Sequence, residues 1–283
     1  MAPDRRLTPA RPDLAAAHLA GLVTAERFVE GRRLRLVAPQ APLKRTPAFD
    51  APYETEALMG EVFTVYDEDE GWTWGQLACD GYVGWLPAHA LGPVDPAPSH
   101  RVAALRTFVY PGPSIKAEPL MALPIGAEVT VTRREGAFAA TPAGFVHAGH
   151  LVPLGVHERD FVAVAERFVG IPYLWGGKSS LGIDCSGLVQ LSLAMAGVAA
   201  PRDSDMQEAG LGTAVTTSDL RRGDLVFWKG HVGIMTDPLA LLHANGHHMM
   251  VVREPLQTVV ARIAAAGAGP VTGVRRLADY TQA

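Results

Sequence analysis

Ile183-Asp184-Cys185-Ser186-Gly187-Leu188-Val189-Gln190 places a cysteine where a glycine-containing loop turns into a helix. A helix N-terminus favours thiolate over thiol, so this position reads as a nucleophile as well as a small buried residue. Farther along, Gly230-His231-Val232-Gly233-Ile234-Met235 reads as a strand opening on a histidine. An imidazole there can accept a thiol proton and later return it. The cysteine helix carries Leu188, Leu191 and Met195 on one stripe, with Gly197 as its C′ stop. A second helix is expected over 157–169, ahead of it. The strand Asp224-Leu225-Val226-Phe227-Trp228 and two further short strands come after it. A helix laid against an antiparallel sheet defines an α+β catalytic domain.

The strands after Gly230 permit a geometric test. If Thr236-Asp237-Pro238 forms a three-residue hairpin loop centred on Asp237, the facing pairs are 235/239, 233/241 and 231/243. His231 then lies opposite His243 on one face, with Cβ atoms ~5 Å apart. One ring can orient the other, which is the logic of a triad in the order Cys185, His231, His243. In that scheme Cys185 attacks a carbonyl and His231 carries the proton to the leaving amine. His243 fixes the tautomer of His231. The backbone N–H of Cys185 and the Tyr173 hydroxyl are candidate donors to the oxyanion. His243 with His247 and His248 also invites a metal reading, but Asn245-Gly246 separates them and no acid or cysteine stands at a familiar ligand spacing. No metal or cofactor is expected.

Composition narrows the class. The chain has 283 residues, 48% hydrophobic and 19% charged, which is ordinary for a globular protein with room for two or three domains. A net charge of −4 gives no reason to expect nucleic acid or an anionic membrane surface as a partner. No run reaches the ~18 apolar residues that span a bilayer. The N-terminal Ala/Leu segment is interrupted by His18 and Gly21 and lacks a compact apolar region, and the only cysteines are Cys79 and Cys185. Two cysteines make no disulfide framework, and a cytoplasmic location is expected.

A helical segment is expected over 13–31, within an N-terminal segment 1–32, with Leu14, Leu19, Leu22 and Phe28 as packing positions. A weak repeat follows. Gly84-Trp85-Leu86-Pro87-Ala88-His89-Ala90-Leu91 parallels Gly144-Phe145-Val146-His147-Ala148-Gly149-His150-Leu151, and each copy is preceded by a Gly and alternating apolar residues near 60–65 and 126–131. Short alternating strands with glycine turns suggest two small β-barrels, 33–93 and 99–153, joined by the proline-rich Gly92-Pro93-Val94-Asp95-Pro96-Ala97-Pro98-Ser99. The catalytic domain then covers 154–283.

Tyr173-Leu174-Trp175-Gly176-Gly177, Asp184-Cys185-Ser186-Gly187, Gly223-Asp224-Leu225-Val226-Phe227, His231-Val232-Gly233-Ile234 and His243-Ala244 together resemble the NlpC-type papain-like peptidases. The two β modules resemble the bacterial SH3-like domains that precede such catalytic domains. The whole layout is similar to the γ-D-glutamyl-L-diamino-acid endopeptidases of the dipeptidyl-peptidase VI type. That resemblance implies a papain-like fold, a Cys/His/His triad and cleavage of L-Ala-γ-D-Glu-meso-diaminopimelate in peptidoglycan recycling. The implied partner is a small murein peptide with a free N-terminal L-Ala. By motif position, Asp184 and Ser186 help hold that amine end, with Tyr173 nearby; in Arg202-Asp203-Ser204 after Pro201, Ser204 is a candidate to bond substrate and Arg202 to brace the loop or meet a carboxylate. Glu61 and Tyr82 are the counterparts expected from the first SH3-like module. An ammonium buried there needs a carboxylate and hydroxyl acceptors.

Two other functions fit the same features. One is an amidase or acyltransferase on the same Cys/His core, since a fold does not fix its acyl donor. The other is a non-catalytic cell-wall binding protein, against which stands the presence of all three triad residues.

Overall fold

The computed structural model describes residues 4–278, which fall into two compact units that divide between Leu154 and Gly155.

The N-terminal unit is β-rich. Its first sheet has seven strands in the order Tyr53–Leu58, Gln40–Lys44, Val83–Pro87, Trp72–Leu77, Val62–Asp69, Arg32–Leu36, Leu91–Gly92. Inward-facing Leu43, Phe63, Leu77 and Leu86 fill its core. A five-stranded and a three-stranded sheet follow, around Val109, Leu123 and Val146. The repeat in the sequence is a structural repeat. Val83–Pro87 runs through a 3-10 turn, Ala88–Ala90, into Leu91–Gly92, just as Gly144–His147 runs through Ala148–His150 into Leu151–Pro153. Gly60 (φ 94°) and Gly126 (φ 86°) make the matching left-handed turns, which favour glycine. The strand pairing stays open, with Tyr53–Leu58 at one edge of the large sheet and Leu91–Gly92 at the other.

The expected helix over 13–31 is absent. Leu14–Ala16 and Arg27–Val29 pair as short parallel strands, with a 3-10 turn at Ala17–Leu19. Tertiary contacts override the helical pattern here. Leu14 is buried among Trp72, Trp74 and Trp85, while Leu22 and Phe28 are exposed. Arg11 stacks over the Trp74 and Trp85 rings and ion-pairs with Asp13 and Asp67, tying the segment down.

In the C-terminal unit, helix α1 (Phe161–Glu166) is shorter than the sequence suggests. Asp160 caps it by accepting from Val162 and Ala163 N–H, which fixes where it begins. Helix α2 (Cys185–Met195) buries every residue from Cys185 to Leu193, not one stripe. It is wedged between α1 and the sheet, and each fully buried Leu or Val contributes about 1.5–3 kcal/mol. Its C-terminus closes as expected on Gly197 (φ 81°), with Val198 N–H bonding Leu193 O and Gly197 N–H bonding Ala194 O. Helices α3 (Ser204–Gly210) and α4 (Leu256–Ala265) complete the helical set among the described residues. The antiparallel sheet runs Thr213–Ala214, Gly273–Arg276, Leu225–Trp228, His231–Met235, Ala240–Asn245, Met250–Pro255.

The histidine hairpin differs in register from the expected one. Observed pairs are Ile234↔Leu242 and Met235↔Leu241, so the loop centres on Pro238. Asp237 is the reason: its Oδ1 accepts from Leu239 and Ala240 N–H, and Thr236 N–H closes on Ala240 O. A shift of two in the pairing sum preserves the face. His231 and His243 are therefore diagonal neighbours, still on one side of the sheet and within reach for rings.

Candidate active site

Cys185 is the first residue of α2, and Asp184 is its N-cap. The thiol is buried, and the backbone N–H groups of Val232 and Ser186 lie near enough to its sulfur to favour the thiolate. The start of the helix therefore abuts the residue that follows His231. Burial pushes the thiol up to about 12, and the Asp184 charge adds to it, against the pull of these donors. Burial thus works against the helix terminus, which favours the thiolate.

His231 Nε2 lies 2.7 Å from His243 Nδ1, and the rings meet edge to face. Glycine at 233 keeps this corner open, because a Cβ there would come within 2.7 Å of the Leu241 side chain. Burial pushes His231 down to about 3, helped by His243 and the Arg262 charge. His243 is also lowered by burial, opposed by Glu254. These shifts favour a neutral thiol and a neutral imidazole at rest.

Behind the two rings stands a pair that sequence reasoning missed. His243 Nε2 lies 2.8 Å from Glu254 Oε1, and Arg262 grips both Glu254 oxygens at 2.5 and 2.8 Å. That Arg262 grip, with the His243 bond, holds the Glu254 carboxyl down at about 2. The strand register could have revealed Glu254: Val252 faces His243, and Glu254 lies two residues on, on the same face. Arg262 arrives from α4, which no spacing in the sequence announces.

Asp184 is fully engaged. Its oxygens accept from Gly176 and Gly187 N–H at 2.9 and 2.7 Å, from Ser186 Oγ at 3.4 Å and from Arg202 at 2.9 and 2.7 Å. A carboxylate offers about four lone-pair sites, so an ammonium could join only by displacing one of these donors. Arg202, only 1% exposed, also donates to Ser186 Oγ and Gly177 O. The Tyr173 hydroxyl is raised by burial and by the nearby Cys185 and Asp184, which places it beside both. Ser204 is buried at the start of α3. Tyr173, Asp184, Ser186, Cys185, His231 and His243 thus gather around one helix start and one hairpin.

Glu61 and Tyr82 belong to the N-terminal unit. Tyr82 is 3% exposed, packed in the core, with its hydroxyl 3.4 Å from Glu54. Its ring is part of the core of the seven-stranded sheet. Glu61 Oε2 accepts from Leu58 N–H across a turn.

A cysteine at a helix start, facing a strand with paired histidines, defines a papain-like cysteine peptidase site. Residues 170–264 match the NlpC/P60 family and residues 43–91 match the bacterial dipeptidyl-peptidase SH3 domain. The chain carries an NlpC/P60 cysteine peptidase domain, with such an SH3 domain ahead of it. It is 29% identical over 238 residues to a γ-D-glutamyl-L-lysine dipeptidyl-peptidase of Bacillus cereus, covering 72% of this chain and 71% of that one. The enzyme of the same name from Bacillus subtilis is 29% identical over 223 residues, covering 69% and 73%. Among solved structures, an NlpC/P60 family protein from Bacillus cereus superposes with a TM-score of 0.74 at 21% identity, over 87% of this chain and 99% of the other. That likeness is one of fold. No described helix is long and apolar enough to cross a membrane.

Proposed function

We propose that the chain hydrolyses the bond between γ-D-glutamate and the diamino acid of small, free cell-wall peptides bearing an N-terminal L-Ala. The observation that carries this reading is the 2.7 Å His231–His243 bond on the strand that packs against the helix opened by Cys185. The relatives, which align across both units, supply the substrate class.

In this reading the Cys185 sulfur attacks the γ-carbonyl as its proton passes to His231. With both groups neutral at rest, transfer accompanies attack. His231 then protonates the departing amine of the diamino acid, leaving a thioester on Cys185. Water, deprotonated by the same imidazole, releases L-Ala-D-Glu and restores the thiol. The Cys185 N–H and the Tyr173 hydroxyl stabilise the oxyanion. Ser186 and Ser204 receive the L-Ala ammonium, with Asp184 as the charge behind Ser186. The N-terminal sheets act as two SH3-like modules. The reading places its action in the cytoplasm, on peptides being recycled, where a chain with only two cysteines needs no disulfide framework.

Incubation with L-Ala-γ-D-Glu-meso-diaminopimelate and with its L-Lys counterpart, followed by mass spectrometry, tests the assignment. L-Ala-D-Glu plus the free diamino acid is expected from at least one. Both left intact, where a control peptidase cuts, would sink the reading. Cys185→Ala should lower turnover on the order of 10⁵-fold or more. Retained hydrolysis by that variant would remove Cys185 as nucleophile.

A further inference from the structure

The nitrogen on which each catalytic histidine carries its proton is set from outside the Cys/His/His set. We propose that Glu254, held by Arg262, is a positioning residue that fixes the tautomers of both His243 and His231. It rests on the proton-transfer role given above to His231.

The hydrogen bonds run inward from Arg262 to His231. Glu254 accepts from Arg262 through both oxygens and is ionised, so at 2.8 Å from His243 Nε2 it can only be an acceptor. His243 therefore carries its proton on Nε2. Its Nδ1 is then a lone pair, which must accept from His231 Nε2–H at 2.7 Å. His231 is left with an unprotonated Nδ1, the only ring nitrogen able to take a proton from a thiol. Reversing the first tautomer reverses the second, and a neutral His231 would then hold its proton on the wrong nitrogen.

A competitor makes the choice real. Asn245 Nδ2 sits 3.1 Å from the same His243 Nε2. Its amide cannot simply turn over, because Asn245 Oδ1 accepts from His248 N–H at 2.9 Å. Asn245 therefore offers a donor to Nε2 and pulls His243 towards the opposite tautomer. A charged acceptor at shorter range outweighs a neutral donor at longer range. The His248 ring, 3.8 Å from Glu254 Oε1, is the other titratable group facing the carboxylate.

The test reads the tautomers directly, by two-bond ¹H–¹⁵N correlation of the imidazoles in the ¹⁵N-labelled full chain near neutral pH. The expected wild-type spectrum has His243 and His231 both protonated on Nε2. In Glu254→Gln, with the charge gone, a substantial population should carry the His243 proton on Nδ1. The kcat of that variant should fall about 10²-fold, within the range for lost partners of catalytic imidazoles, with KM nearly unchanged. A wild-type His243 protonated on Nδ1 overturns the proposal, and needs no variant to fold. So does Glu254→Gln with wild-type tautomers and wild-type kcat. If the tautomers behave as expected but no γ-glutamyl peptide is cut, the substrate assignment fails and the positioning role stands.

Discussion

Two carboxylate–arginine pairs flank the reacting groups, and they differ in what the carboxylate touches. On the cysteine side, Asp184–Arg202 is nearly sealed, with side chains 11% and 1% exposed, and every other donor to Asp184 is backbone or hydroxyl. On the histidine side, Glu254–Arg262 is 13% and 23% exposed and passes its charge to an imidazole. The same ion pair is a mason in one place and an electrostatic lever in the other. Asp184 fixes where α2 begins and hence where Cys185 stands. Glu254 fixes which nitrogen carries a proton. Burial of an acid beside a nucleophile is therefore not itself a sign of chemistry; the identity of its remaining partner is.

Removing each arginine breaks this comparison most sharply. Arg202→Met strands a buried carboxylate and should cost about 3–5 kcal/mol, the usual penalty for half of a buried pair. Arg262→Met leaves Glu254 closer to solvent, and should cost clearly less stability while lowering kcat. Denaturant unfolding followed alongside turnover separates the two. Equal stability losses would mean that the pairs have the same role.

Acid should act next most strongly, and through the histidine side. His231 is held at about 3 in the folded chain against an ordinary 6.5, so the unfolded chain binds a proton in that interval that the folded chain does not. Stability must then fall as pH drops from about 6.5 towards 3. Glu254, at about 2 against an ordinary 4.5, contributes stability above 4.5 that is lost as pH falls towards 2. Both run in the same direction. Thermal melts of the wild type and of His231→Gln between pH 7 and 5 test this: the variant should show the flatter dependence. An unchanged slope would place the acid sensitivity elsewhere.

The cysteine motif and the order of strands made the C-terminal unit legible, because helix caps and hairpins are local chemistry. The same-face placement of His231 and His243 survived a wrong loop centre, since parity, not register, decides the face. What sequence hid was set by distant partners. Leu14–Ala16 reads as helix until Trp72, Trp74 and Trp85 are beside it. Asp184 reads as an ammonium acceptor until Arg202, eighteen residues on, fills its lone pairs. Tyr82 is singled out by the resemblance alone, and the packing of its ring into the core of its sheet is invisible in the sequence. Glu254 matters only through the pairing of Met250–Pro255 with Ala240–Asn245, which brings it alongside His243.

Asn245→Ala is the smallest change and tests the weighting of partners on the histidine side. If the Glu254 charge already decides the tautomer, the Asn245 Nδ2 contact to His243 contributes nothing that favours catalysis, and kcat should stay within about threefold of wild type. The variant should still lose the acceptor for His248 N–H, at about 1 kcal/mol, and melt roughly 3 °C lower. A large fall in kcat would instead make Asn245 the residue that orients His243. The histidine side would then rest, like the cysteine side, on neutral and backbone partners as much as on its ion pair.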